Sequence, residues 1–280
     1  MLALSAGNRS DWPVGRPYTL ANAGALSNMS TAVLLQGLRK SFGTLETIAG
    51  IDMEIDTGSF VSVIGPSGCG KSTLLRIVAG LEPPSAGEVL VDGEPAVAAR
   101  RKKRVAMVPQ HPGLLPWRTV RANARLLLDV NARANGPTTK DPMELLQRVG
   151  LGSFLDAHPH ELSGGMQQRV ALVRALALGA PLLAMDEPLA ALDEITRAEM
   201  RGLLNQLVEG RNVTTLFVTH SISEAVALSD RVLVSSPRPA RIVADICIDL
   251  PRPRPDNVDD EAHFFDLCTQ VRHALLKGAE

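Results

Sequence analysis

From residue 32 onward, short apolar runs closed by turn residues alternate with longer stretches of helical spacing. "AVLLQGLRKSF", "IDMEID" and "SFVSVIG" read as strands, "GEVLVDG" as a further short strand closed by the turn pair Asp92-Gly93, and "RVAMVPQ" as the next. Between roughly 119 and 160 the pattern turns helical and more polar. "PLLAMDEP", "TTLFVTH", "RVLVSSP" and "RIVADICIDL" then return to strand character. The apolar PLLAM and TTLFV flank "ALDEITRAEMRGLLNQLVEG", whose 3.6-residue spacing predicts a βαβ unit with a parallel sheet. "PRPRP" at 251–255 breaks the chain before a last helix, where Phe264, Cys268, Val271 and Leu275 recur at helical spacing. That narrow apolar stripe predicts docking on the body of the protein. Residues 1–30, rich in Gly, Ala, Ser and Asn without a period, predict a disordered extension, with Met29 as an alternative start.

Composition narrows the class. The 280 residues suffice for a full core, and 45% hydrophobic with 21% charged residues is an ordinary soluble balance. With 29 basic and 30 acidic residues the net charge is −1, so no global pull toward nucleic acid is expected. Aromatics at 3% leave no stacking platform for single strands. Cys69, Cys247 and Cys268 are odd in number and lack C-x-x-C spacing, which points to a reducing cytosol rather than disulfides or zinc. The most apolar stretch, "VALVRALALGAPLLAM", is broken by Arg174, Gly179 and Pro181, short of the ~20 residues that span a bilayer. Any membrane role therefore runs through a partner.

The chemistry is concentrated in two places. "GPSGCGKST", residues Gly65, Pro66, Ser67, Gly68, Cys69, Gly70, Lys71, Ser72 and Thr73, is a complete G-x-x-x-x-G-K-S match between a strand and a helix. Glycines let successive N–H groups face phosphates, and the helix N-terminus adds positive potential. Lys71 is expected to reach the β- and γ-phosphates of a nucleotide, and the Ser72 hydroxyl to ligate Mg²⁺. "LLAMDEP" supplies carboxylates: Asp186 to hold Mg²⁺, Glu187 to orient or deprotonate an attacking water. Pro188 ends the ladder there, so both acids are expected at the strand's C-terminal edge. A GTPase would want an N-K-x-D base reader, which is absent, and "DEAH" at 260–263 lies on the last helix rather than after a buried strand.

A second glycine motif, "LSGGMQQR" at 162–169, resembles the signature of ATP-binding cassette (ABC) ATPases, and other marks of that family occur in order. Gln110 in "MVPQ" is similar to the glutamine that senses Mg²⁺ and γ-phosphate, Asp193 in "LAALD" to the D-loop aspartate, and His220 in "FVTH" to the switch histidine. Phe42 matches the aromatic that stacks on adenine, where many relatives carry Tyr. The resemblance spans about 32–250. It implies an α/β fold: a P-loop NTPase, RecA-like core with an antiparallel β subdomain and a helical subdomain inserted at about 111–165. The cassette itself would occupy 31–250, followed by a Pro-rich linker and C-terminal helix at 251–280. The resemblance further implies ATP and Mg²⁺ as substrate and ion, and a head-to-tail homodimer. In that dimer Ser163, Gly164, Gly165 and Gln167 of one copy face the ATP held by Lys71 of the other.

The family also implies an importer: two membrane-spanning permease subunits contacted near Leu114–Trp117, a solute-binding protein acting indirectly, and a peripheral position on the cytoplasmic face of the inner membrane. "LLPWRTVRAN" and "VSSPRPARIVADICIDLPRPR" resemble the branch that handles nitrate, alkanesulfonates, taurine or bicarbonate-like anions. A pyrimidine thiamine precursor is the alternative cargo, and a non-transport mechanical clamp the alternative function. Arg238, Arg241, Arg252 and Arg254 are expected to form a solvated edge.

Overall fold

The computed structural model describes residues 30–190, 192–208, 213–255 and 258–278. The expected N-terminal extension and the alternative start at Met29 lie outside them. Period-two alternation first gives two long strands, β1 (Thr31–Phe42) and β2 (Leu45–Asp56), paired antiparallel. β3 (Phe60–Ile64) follows, entirely buried, and leads through the glycine loop into helix α1 (Lys71–Val78). β4 (Ala86–Val91), β5 (Glu94–Pro95) and α2 (Ala96–Arg101) come next, with Asp92 and Gly93 both at positive φ in the β4–β5 turn. That pair of left-handed residues is what a two-residue hairpin turn demands.

After β6 (Val105–Val108) come α3 (Val120–Asp129), α4 (Pro142–Arg148) and α5 (Gly164–Ala177). The Thr119 side chain caps α3, and Asp141 caps α4 with Pro142 at its first position. The remainder is β7 (Leu182–Asp186), α6 (Glu194–Val208), β8 (Thr214–Val218), α7 (Ile222–Leu228), β9 (Arg231–Ser235), β10 (Ile242–Cys247) and α8 (Ala262–Lys277).

Two sheets result. One is antiparallel, ordered β2-β1-β4-β5; the other has six strands ordered β10-β9-β3-β8-β7-β6. In the second, β9, β3, β8, β7 and β6 run parallel and only β10 is reversed. Strand alternation sorts its side chains between two layers. Phe60, Ala106, Leu183, Met185 and Phe217 point to the layer formed with α3, α4 and α5. Val61, Val63, Ala184, Leu216 and Val218 point to the layer formed with α1 and the antiparallel sheet. The expected α/β core with an antiparallel sheet beside it is the observed one.

The last helix docks as its stripe predicts. Phe264, Leu267 and Val271 are buried with residues of α7, β9 and β10. Leu267, off the recognised stripe, completes that contact. Of the four arginines expected at a solvated edge, Arg238, Arg241 and Arg252 are exposed, and Arg254 is not. Arg254 is buried and donates to the Ser229 carbonyl, while Arg252 bridges Asp230 and donates to the Leu228 carbonyl. Both satisfy backbone oxygens at the C-terminal end of α7, where orphan carbonyls and the helix dipole favour cations. Among the described residues no helix is long and apolar enough to cross a membrane.

Phe60 and Phe217 pack with ring centroids 5.7 Å apart at the centre of the parallel sheet. Phe217→Ala is expected to lower unfolding free energy by about 3–5 kcal/mol, read as a lower urea midpoint with an unchanged slope.

Candidate functional site

The loop between β3 and α1 closes on its own lysine. Lys71 is buried, and its ammonium donates to the carbonyls of Gly65 and Pro66 at 2.8 and 2.9 Å. Gly68 and Gly70 hold φ of 72° and 121°, a region L-side chains rarely adopt. A β-carbon at Gly65 would lie 2.9 Å from the Ser235 backbone oxygen, and one at Gly70 would lie 3.2 Å from that of Thr47. The loop therefore follows a path only glycine allows, with α1's N-terminus opening at its end. Ser67 and Gly68 are exposed at the tip, Thr73 is half-buried, and the Cys69 thiol is buried beneath. Backbone amides, an ammonium and a helix N-terminus converge there, which is the equipment of an anion cradle.

Across the strand edge, Ser72 Oγ donates to Asp186 Oδ1 at 2.9 Å. Burial pushes the Asp186 carboxyl above the ordinary carboxylate range; the Ser72 hydrogen bond opposes this and the neighbouring Glu187 charge adds to it. A buried carboxylate beside a hydroxyl is an oxygen donor set suited to a hard cation such as Mg²⁺. Glu187 sits one residue past the end of β7 at φ 44°, and its amide still donates to the Val218 carbonyl of β8 at 2.8 Å. A left-handed glutamate is strained backbone, held here by the ladder on one side and Pro188 on the other. Its Oε2 accepts from Gln110 Nε2 at 3.1 Å and lies 3.4 Å from His220 Nδ1. Three strand ends, those of β6, β7 and β8, thus meet at one carboxylate oxygen.

The second glycine motif forms the exposed start of α5. Ser163 caps the helix by accepting from the Met166 amide, and Ser163 and Gly164 face solvent. A β-carbon at Gly165 would meet Leu192 Cδ2 at 3.0 Å, so the motif packs beside the D-loop. Gln167 is turned back instead: its Nε2 donates to Pro159 and Leu162 carbonyls at 2.9 and 3.3 Å, bracing the turn that precedes the motif. The Asp193 carboxylate accepts from the Thr196 amide and hydroxyl at 3.0 and 2.8 Å, capping α6. Phe42 is 48% exposed, with the Lys40 ammonium 4.7 Å from its ring centre. An exposed ring face of this kind can stack on a base.

Sequence patterns did not reveal how the surrounding loops are anchored. Arg174, buried in α5, donates to the Pro112 and Gly113 carbonyls at 2.5 and 2.9 Å, tying the loop after Gln110 to the helix that begins at Ser163. Asn123, fully buried, accepts from the Leu115 amide and donates to the Leu115, Arg118 and Thr119 carbonyls. Leu114 tucks against the core and Leu115 is half-buried, while Trp117 stands 73% exposed on this braced loop. Glu224 joins two other segments: it accepts from the Thr219 hydroxyl at 2.6 Å and lies 3.6 Å from Arg197 Nε. Arg197 in turn donates to the Leu192 carbonyl at 2.7 Å. A polar chain therefore links the D-loop to the residue preceding His220.

A family model described as "ABC transporter" matches residues 48–190. The aliphatic sulfonates import ATP-binding protein SsuB of Rhodopseudomonas palustris strain ATCC BAA-98 / CGA009 is 45% identical over 249 residues, 89% of this chain and 85% of that protein. The SsuB of strain BisA53 is 41% identical over 274 residues, 98% of this chain and 90% of its own length. Among solved structures, a dimeric post-hydrolysis state of the ATP-binding cassette MJ0796 with ADP and Pi superimposes with a TM-score of 0.69. It is 30% identical in sequence, and the match covers 78% of this chain and all of that one.

The Glu224 linkage has a pH signature. Burial raises its carboxyl above the ordinary range, against the lowering effects of the Thr219 hydrogen bond and Arg197. The ionised form is thus the costly one in the folded state. Its stabilising contribution is full below the unfolded pKa and is lost as pH rises through the raised folded value. Glu224→Gln is expected to flatten that limb of a melting temperature against pH curve; an unchanged slope would remove Glu224 as its source.

Proposed function

This chain belongs to the ABC transporter family, and on that premise we propose that it is the ATP-hydrolysing subunit of a membrane importer for a small alkanesulfonate-type oxyanion. The observation that carries the reading is the convergence of Gln110, Glu187 and His220 at one carboxylate oxygen, together with the Ser72–Asp186 contact beside the glycine loop. The proposed roles follow from the chemistry of each group. Amides of Gly65 to Thr73 and the Lys71 ammonium bind the β- and γ-phosphates of ATP, and Phe42 stacks on adenine. Ser72, Asp186 and Gln110 are the residues that would hold Mg²⁺, whose charge neutralises phosphate oxygens. Glu187 orients the attacking water and takes its proton, while Gln110 and His220 fix the carboxylate's direction. His220 would also contact the γ-phosphate as charge develops on it. Little covalent chemistry is asked of the protein; positioning and charge stabilisation carry the rate.

The exposed N-terminus of α5 supports a head-to-tail pair. Its outward N–H groups and dipole stabilise an anion brought to them, so Ser163, Gly164 and Gly165 serve the nucleotide of a second copy. Asp193 of the D-loop then lies against the same interface. Such a two-fold contact lets one chain supply both halves of both sites. Binding ATP closes the pair and hydrolysis releases it.

Trp117 supports a membrane partner. A large aromatic held outward on a braced loop is the kind of residue that anchors interfaces. The partner would be a pair of permease subunits, which would hold this chain on the cytoplasmic face of the inner membrane. A solute-binding protein would deliver the cargo without touching this chain. The oxyanion assignment is supported by the sulfonate-import names of relatives at 41–45% identity.

Glu187→Gln is expected to lower turnover by about 10²–10⁴-fold and to accumulate an ATP-bound dimer on size-exclusion in MgATP. A persistent monomer with full hydrolysis would defeat the roles given to Glu187 and α5. For transport, the complex purified from detergent-solubilised membranes should contain polytopic subunits. Its ATPase should rise with an alkanesulfonate-loaded binding protein and not with one offered nitrate or a pyrimidine. Recovery with ribosomes or DNA alone would refute the importer reading.

A further inference from the structure

The end of β9 and the turn that leads to β10 run beside the phosphate loop from Gly65 to Gly70. Three of the loop's glycines each face a residue of that stretch. A β-carbon at Gly65 would lie 2.9 Å from Ser235 Cβ, one at Gly68 would lie 3.5 Å from Arg238 Nη2, and one at Gly70 would lie 3.5 Å from Ala240 Cβ. Between the first contact and the third, Arg238 makes a strong polar link. Its Nε and Nη2 donate to the Gly68 carbonyl at 3.1 and 2.5 Å. These are charge-assisted bonds from two arms of one rigid fork, and a lysine cannot reproduce them.

The turn is itself stiff. Pro237 and Pro239 fix φ on either side of Arg238. The Ser236 amide donates to the Arg241 carbonyl at 2.9 Å, and the Ser236 hydroxyl accepts from the Arg241 amide at 3.1 Å. Ala240 is bonded through both backbone groups to β2, its amide donating to the Thr47 carbonyl at 2.8 Å and its carbonyl accepting from Ala49 at 3.1 Å. Arg238 is thus presented from a frame fastened to both sheets, so what it grips is held relative to the core.

What it grips decides where an amide points. A trans peptide is planar, so drawing the Gly68 carbonyl outward turns the Cys69 N–H to the opposite side. That N–H points back to the Pro66 carbonyl of the same loop, with the nitrogen 3.4 Å from the oxygen. A bond that long is weak and easily exchanged for a phosphate oxygen. With φ of 72° at Gly68, glycine's freedom would otherwise let this peptide rotate.

We propose that Arg238 is a positioning residue that clamps the Gly68–Cys69 peptide, pre-orienting the Cys69 amide for phosphate and so setting the chain's affinity for ATP. The proposal rests on reading residues 65–73 as the phosphate cradle. It also gives the "SSPRPA" segment a physical role, in which Ser236, Pro237 and Pro239 build the frame and Arg238 acts through it.

The test uses the full chain and two variants, Arg238→Ala and Arg238→Lys. In Arg238→Ala the KM for MgATP should rise about tenfold with kcat within about twofold, because an interaction common to ground and transition states is lost. Cys69 is an internal reporter of the same peptide. Its alkylation by N-ethylmaleimide without nucleotide, followed by peptide mass spectrometry, should accelerate about tenfold as the loop loosens. Alkylation of Cys247 and Cys268 should not change. Arg238→Lys, which keeps the charge but not the fork, should lie nearer the alanine variant on both readouts. An unchanged KM overturns the proposal. So does a raised KM with unchanged Cys69 reactivity, or a lysine variant equal to wild type, since either leaves only a general charge effect. Failure of the wild-type chain to bind ATP would instead sink the nucleotide reading itself.

Discussion

Everything in this molecule depends on parallel strands ending in register along one edge of a sheet. Val63 pairs with Val218, Val218 with Asp186, and Met185 with Val108, so β3, β8, β7 and β6 stop within a residue or two of one another. Each strand is buried along its whole length or nearly so and mostly apolar, because both faces are covered, and β7 carries a carboxylate, Asp186, only at its last position. The site's chemistry gathers at the strand ends and just past them. The glycine loop, His220, Glu187 and Gln110 lie within two residues of the ends of β3, β8, β7 and β6. Distances of 3.1 and 3.4 Å to one Glu187 oxygen follow from strand register, not from any local contact in sequence.

The helices on the other layer add a second kind of constraint. α5 begins at an exposed Ser163 while its body is buried against α3 and α4, so its orphan N–H groups have no place inside the chain. The segments around that helix start are nonetheless tied to the core. Arg174 fastens the loop after Gln110 to α5, and Gly165 packs on Leu192, whose carbonyl is held by Arg197. Arg197 reaches Glu224 and thence Thr219, next to His220. Loops that would face another copy are thus mechanically continuous with the carboxylate cluster. A change at one can be felt at the other without a further messenger.

The parts legible in the sequence were those carried by short, contiguous patterns. The glycine loop announces itself through spacing, the β4–β5 turn through Asp92-Gly93, and the last helix through its apolar stripe. Residues whose meaning lies in a distant partner were not legible. Arg238 reaches Gly68 across 170 positions, and among prolines it looks like any solvated arginine. Arg174 reads as an interruption of an apolar run, yet its guanidinium closes two carbonyls of a loop about sixty residues earlier. Asn123 reads as one polar residue of a helix but satisfies four backbone groups. Gln167, which the motif implies faces a second copy, donates within its own chain to the Pro159 and Leu162 carbonyls. Arg174 and Asn123 are buried and must find backbone partners, while the exposed Arg238 and half-buried Gln167 reach theirs at the surface; in none of them does sequence say which carbonyl is met.

On the head-to-tail reading, a working site needs the glycine loop of one copy and the α5 start of another. Two inactive variants, Lys71→Ala and Ser163→Arg, can be mixed to find out. In a mixed pair the intact loop of one chain meets the intact α5 start of the other, restoring one complete site. ATPase activity is expected to reappear on mixing, toward one site per mixed dimer. Activity that stays at the level of the separate variants, with mixed dimers demonstrably formed, would contradict it.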